Sequence, residues 1–202
     1  MNKRHLTASA VLASALALTA CGGGGTDTAG GNAGSSTSSP SAETAKGNDA
    51  DLAFLTGMKP HHQQAVEMSE MVLAADPPAE VAAIAQQIKS AQGPEIEQMT
   101  TMLGALGQKV DGQAHSGGHS AGMAGHGGMM DDQMMADLGG ATGTEAARLY
   151  LEGMVRHHQG AIEASEVALV DGAYPPALKL ADEIKQAQAT EITRMQALLA
   201  SL

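Results

Sequence analysis

From Asp51 to Ala75 apolar and small residues return at the three-to-four-residue interval of a helix, through Leu55, Met58, His62, Ala65, Met68 or Ser69 and Val72, and Asp76-Pro77-Pro78 stops the run. A second run, Val81, Ile84, Ile88, Ala91, Glu95, Met99, Leu103 and Leu106, predicts another helix to about Leu106. Further along, the same periodicity predicts helices from about Thr144 to Val170 and from about Pro175 to Leu202, separated by Asp171-Gly172-Ala173-Tyr174. The stretch Met130 to Leu138 predicts a short helix between the two halves. No segment shows the alternation and β-branched enrichment of a strand.

The two halves are copies. MKPHHQQAVEMS (Met58 to Ser69) returns ninety-six positions later as MVRHHQGAIEAS (Met154 to Ser165). The same offset relates Ile88-Lys89 to Ile184-Lys185, Ala91-Gln92 to Ala187-Gln188, Glu95-Ile96 to Glu191-Ile192, Met99 to Met195 and Leu103 to Leu199. Two antiparallel helix pairs joined by a long connection imply an all-α four-helix bundle made of two duplicated helical hairpins, with pseudo-twofold symmetry. Phe54, Tyr150 and Tyr174 are the only aromatics, so the core is expected from Ala, Leu, Ile, Val and Met. Phe54 and Tyr150 are repeat-equivalent and are expected to seal one end.

The first 20 residues combine Lys3 and Arg4 with an apolar run from Leu6 to Ala20, the make-up of an export signal too short to span a bilayer. It closes on Leu18-Thr19-Ala20-Cys21, like a bacterial lipobox, which makes Cys21 the expected lipidated first residue of an exported protein anchored on the outer face of the cytoplasmic membrane. Cys21 is the single cysteine, so disulfides and cysteine-based zinc sites have no material. Residues 21–48, rich in Gly, Ser and Thr, cannot bury enough apolar surface to order themselves and are expected to act as a tether spanning roughly 25–30 Å. Loss of Lys3 and Arg4 takes the basic residues from 11 to 9 against 22 acidic ones, a net charge of −13. That balance argues against nucleic acid as a partner and favours cations. Residues 49–202 then form one domain: first repeat 49–106, connection 107–143, second repeat 144–202.

The repeated residues carry chemistry. Met58 and His61 stand three apart, as do Met154 and His157, so each pair shares a helix face and can approach one metal ion. In carboxylate-bridged di-iron bundles two helices each give Glu-x-x-His and two more give a Glu. Here Met-x-x-His replaces Glu-x-x-His, with Glu95 and Glu191 at inward-leaning positions of the other two helices. Exchanging anionic oxygens for thioethers removes charge that favours Fe(III) or Mn and installs donors suited to Cu(I), so copper is the expected cofactor. Met99 and Met195 are equally open to ligand or core roles, whereas Met68, Met71 and Met102, without repeated partners, are read as core filler. His62 and His158 lie about 100° round the helix from His61 and His157, so one member of each pair is expected to bind and the other to hydrogen-bond to Glu95 or Glu191. Gln63, Gln159, Glu67 and Glu163 lie further round and read as solvated or as interhelical polar contacts. Pro60, which Arg156 replaces in the second copy, is expected to kink the first helix and open its site. In the connection, His115, His119, Met123, His126, Met129 and Met130 form a second, flexible set of soft ligands among glycines.

These segments, MKPHHQQAVEMS and RLYLEGMVRHHQGAIEAS with Met-Met-Asp-Asp before the second, resemble a bacterial family of unknown function, the CopM-like proteins. The resemblance covers about residues 49 to 202. It implies a ferritin-like four-helix bundle and, for the characterised member, copper bound through Met and His outside the cytoplasm. Ala164 stands where the first copy has Met68, which argues against a ligand role there.

The leading reading is therefore a lipid-anchored copper-binding protein that buffers copper or hands it to a copper-handling partner. Two others stay open: a ferritin-like iron or manganese oxidoreductase site built from Glu95, Glu191, His61 and His157, and a helical interaction module with a buried polar network. No catalytic triad, phosphate loop or dinucleotide fingerprint is present, so no enzyme activity is assigned.

Overall fold

The computed structural model describes residues 46–108 and 127–202. Its five helices are α1 (Asp49–Ala74), α2 (Ala79–Ala105), the short α3 (Asp132–Gly140), α4 (Gly143–Asp171) and α5 (Pro175–Leu199). The four long helices begin and end within a few residues of the predicted limits, and the short one starts at Asp132, where Asp131 caps it by accepting from the Met134 N–H at 2.8 Å. No strand occurs among the described residues. The protein is an all-α bundle of two helical hairpins, α1–α2 and α4–α5.

The hairpins pack through α1 against α4, and more sparsely through α2 against α5, while α3 lies across α1 and α4. α1 and α4 run antiparallel: the His61 and His157 rings meet at mid-length, and the Ser69 hydroxyl, further along α1, meets the Tyr150 hydroxyl, earlier in α4, at 3.1 Å. Two apolar clusters result. One joins the second half of α1 to the start of α4 and includes Met68, Ile84, Ile88, Tyr150, Met154 and Met195. The other joins the start of α1 to the second half of α4 and includes Phe54, Met58, Met99, Leu103 and Ile184.

This corrects the expectation that Phe54 and Tyr150 seal one end. Each belongs to a different cluster, because a pseudo-twofold between antiparallel helices sends equivalent residues to opposite sides of the crossing. Pro60 lies within α1 and Pro94 within α2, and each helix continues past its proline as one element.

The bundle ends are tied by polar contacts. Asn48 and Asp51 form a capping box at the start of α1. The fully buried Asp51 carboxylate also accepts from the backbone N–H groups of Ala173 and Tyr174, each at 3.1 Å, so it holds the α4–α5 turn onto α1. A charge buried this deeply is tolerated because three backbone donors satisfy it.

Candidate metal centre

Between the two clusters lies a layer of histidines. His61, His62, His157 and His158 are all completely buried, two on α1 and two on α4. The helical pitch splits each His-His pair as the 100° step requires. His62 Nε2 meets Glu95 Oε2 of α2 at 2.9 Å, and His158 Nε2 meets Glu191 Oε2 of α5 at 2.8 Å. The other member of each pair turns to the α1/α4 interface, where the His61 and His157 rings lie 3.6 Å apart between centroids and 47° from parallel.

The inner pair is the unusual feature. Neither ring nitrogen of His157 has a hydrogen-bond partner among the described residues. Burial is the first cause that pushes His157 well below the ordinary imidazole value, with the facing His61 next and then His158 and His62. The ring is thus held neutral with an available lone pair, the form that ligates a metal. His158 is also lowered by burial, partly offset by its bond to Glu191. An imidazole buried with both nitrogens unsatisfied is costly, and a ligand would relieve that cost.

Methionines are buried on the same helices. Met58 and Met154, one turn before His61 and His157, are fully buried, as are Met99 and Met195. Met58 and Met99 belong to one apolar cluster, Met154 and Met195 to the other. Among the described residues no three His, Cys, Asp or Glu side chains converge as a metal site, so an ion at the inner pair would complete its coordination with sulfur or water. The carboxylates that a di-iron centre needs are engaged with His62 and His158, and Glu67 and Glu163 are exposed, as are Gln63 and Gln159.

Several contacts at the site were not read from the sequence. Gln64 is buried and clamps the Met130 backbone, donating to its carbonyl at 2.8 Å and accepting from its N–H at 2.9 Å. The chain from Gly127 to Met130 thereby lies over the inner pair, with the Gly127 carbonyl oxygen 3.4 Å from His61 Nε2. The fit depends on glycines. A Cβ on Gly160 would stand 1.6 Å from the Gly127 oxygen, and one on Gly128, whose φ is +88°, would stand 2.2 Å from the Arg156 carbonyl oxygen. Met130 is buried, its sulfur facing Gly153, and Met129 is partly buried. Gln64 and Gly160 are repeat-equivalent, a difference that the aligned copies displayed without revealing what it accommodates. Met68 is core, and Met71 and Met102 pack against the clusters, as read. His115, His119, Met123, His126 and Cys21 lie outside the described residues.

Fold and site together define a duplicated helical bundle with a buried layer of four histidines, two of them paired with carboxylates and two preceded one turn earlier by a buried methionine. Residues 51–199 match a family described as "Domain of unknown function (DUF305)", and the chain belongs to that family. Among solved structures it is similar to a DUF305 fragment from Deinococcus radiodurans, at 31% identity over 77% of this chain and 98% of that one, with a TM-score of 0.66. It is similar also to a DUF305 protein of Streptomyces coelicolor described as secreted, at 30% identity, covering 75% and 91% of the two chains, TM-score 0.65. A third is CopM in its Cu(I)-bound form, at 28% identity, covering 75% and 96%, TM-score 0.61. No curated protein matches the chain.

Proposed function

We propose that this chain is an exported, lipid-anchored copper-binding protein that buffers copper or passes it to a copper-handling partner. The observation that carries the reading is the inner pair: two imidazoles packed 3.6 Å apart, one with both nitrogens unpartnered and held neutral by burial, each preceded by a buried methionine one turn away. The residues fit copper. His61 and His157 supply nitrogen in either oxidation state, and Met58 and Met154, with Met99 and Met195 behind them, supply the soft sulfur that favours Cu(I). Glu95 and Glu191 act through His62 and His158, orienting those rings beside the inner pair. Copper bound there would supply a one-electron couple, and these residues would bind and orient it. The Cu(I)-, Cu(II)- and silver-bound forms of CopM support this choice of metal, and the secreted relative supports export. The anchor at Cys21 and the soft ligands His115, His119, Met123, His126, Met129 and Met130 belong to the same reading, as the membrane attachment and an exchange segment.

The deciding experiment is competition against a Cu(I) chelator for the parent and for the double variant Met58→Leu/Met154→Leu. Leucine nearly conserves volume, so stability should change by less than about 1.5 kcal/mol. Cu(I) affinity should fall at least tenfold while Cu(II) binding changes much less. Equal Cu(I) affinity in parent and variant would return the methionines to the core. Absence of any copper binding by the parent would leave the polar layer as a structural network.

A further inference from the structure

Among the described residues other than histidine, the buried side-chain nitrogens and oxygens that lack a hydrogen-bond partner belong to just two side chains, Gln92 and Gln188. Both atoms of the Gln92 amide are unpartnered, as is Oε1 of Gln188, and the residues are only 2% and 3% exposed. Each stands one helical turn before the carboxylate that holds a histidine, Gln92 before Glu95 on α2 and Gln188 before Glu191 on α5. Both sit in the inward stripe of their helix, between Ile88 and Met99 and between Ile184 and Met195. An apolar side chain would serve packing better there, since an amide stripped of water and given nothing in return destabilises the bundle. It nevertheless occurs in both copies, at positions related by the repeat.

We propose that Gln92 and Gln188 are positioning residues for a water molecule that completes the coordination of Cu(II) in the polar layer. The inference rests on the copper reading above. Cu(I) is satisfied by a few soft donors, whereas Cu(II) takes additional nitrogen and oxygen ligands. The inner histidines provide two nitrogens, and the nearby carboxylates are already engaged with His62 and His158. Water supplies the missing oxygen. Water on a dication is a stronger proton donor than free water, so in an apolar interior it needs an acceptor, which an amide Oε1 provides within about one 5.4 Å turn of the carboxylates. The amide N–H groups donate to a second water or to the same oxygen. The two glutamines thus favour the oxidised form of the bound metal and do little for the reduced one.

The test replaces both residues, Gln92→Leu/Gln188→Leu, in the purified chain. Three readouts are expected to diverge: the melting temperature of the metal-free variant rises, its Cu(I) affinity stays within about twofold of the parent, and its Cu(II) affinity falls at least tenfold with an altered electron paramagnetic resonance spectrum. The reduction potential of the bound couple rises accordingly. Unchanged Cu(II) affinity and spectrum alongside a higher melting temperature would overturn the proposal and make the amides packing defects. A drop of the same size in Cu(I) and Cu(II) affinity would also overturn it, because it would indicate general damage to the site. If leucine prevents folding, Gln92→Met/Gln188→Met, which keeps the unbranched shape and removes the oxygen, is read for Cu(II) in the same way. A parent that binds no copper defeats the copper reading itself, an outcome distinct from any variant result.

Discussion

The two copies of the repeat put the same histidines and carboxylates at the same helical positions but surround them differently. In the second copy Glu191 accepts from His158 at 2.8 Å and from Gln87 Nε2 at 3.2 Å, and Arg194 in turn donates to Gln87 at 2.8 Å. In the first copy Glu95 meets His62 at 2.9 Å, and its side chain keeps 20% exposure against 9% for Glu191. The residues equivalent to Gln87 and Arg194 are Glu183 and Gln98, which cannot rebuild the network. At the α1/α4 face the contrast continues: Gln64 holds the Met130 backbone, and its counterpart Gly160 leaves the space that Gly127 fills. A duplicated core has therefore acquired one closed and one more open carboxylate, and a covered face in which each copy supplies a different half. Symmetry is kept where burial constrains it and lost where solvent or an added segment replaces the neighbour.

The largest effect should come from removing the closed carboxylate. Glu191→Ala leaves His158 Nε2 buried without its partner and should cost about 3 kcal/mol in urea unfolding. Glu95→Ala should cost about 1–2 kcal/mol, because water reaches that side chain. Equal losses would erase the distinction between the copies. Next comes Gly160→Ala. Alanine is the better helix former, yet its Cβ would collide with the Gly127 carbonyl, so a loss of about 2 kcal/mol is expected, together with faster amide exchange at Met130. A stability gain there would show that the Gly127–Met130 chain moves aside freely.

A smaller effect follows from protonation. His157 and His158 are both lowered by burial, so the unfolded chain binds more protons than the folded one below the ordinary imidazole value of about 6.5. The stability they contribute is present above that value and is lost as pH falls through it, with a slope of up to about 1.4 kcal/mol per pH unit for each. Urea midpoints of the metal-free domain at several pH values should decline on the acid side, and His157→Leu should flatten the decline. A curve as steep in the variant as in the parent would place the proton uptake elsewhere. Smallest is Gly104→Ala, where a Cβ meets nothing within 4 Å and the equivalent position of copy two is already Ala200. A gain of about 0.5 kcal/mol is expected, and a loss would reveal a contact that the first copy alone makes.

Sequence alone determined the helices and the duplication, because both are written in local periodicity and in register: Leu55 to Val72, the stops at Asp76-Pro77-Pro78 and Tyr174-Pro175, and the 96-residue offset of the His-His-Gln motif need no tertiary knowledge. It also implied that the two rings of each His-His pair face different neighbours, since a 100° step cannot aim both at one point. Which ring took which role was decided only by the packing of α1 on α4, which faces His61 onto His157 and leaves His62 and His158 to the carboxylates of α2 and α5. The same antiparallel crossing placed Phe54 and Tyr150 in different clusters, contrary to what equivalence in the repeat suggested. Gln64, Gly160, Asp51 and the orphan amides of Gln92 and Gln188 were visible as letters but carried no local signal. Their meaning lies in partners 33 to 123 residues away or in the lack of one, and periodicity records which face a residue occupies, never what it will meet there.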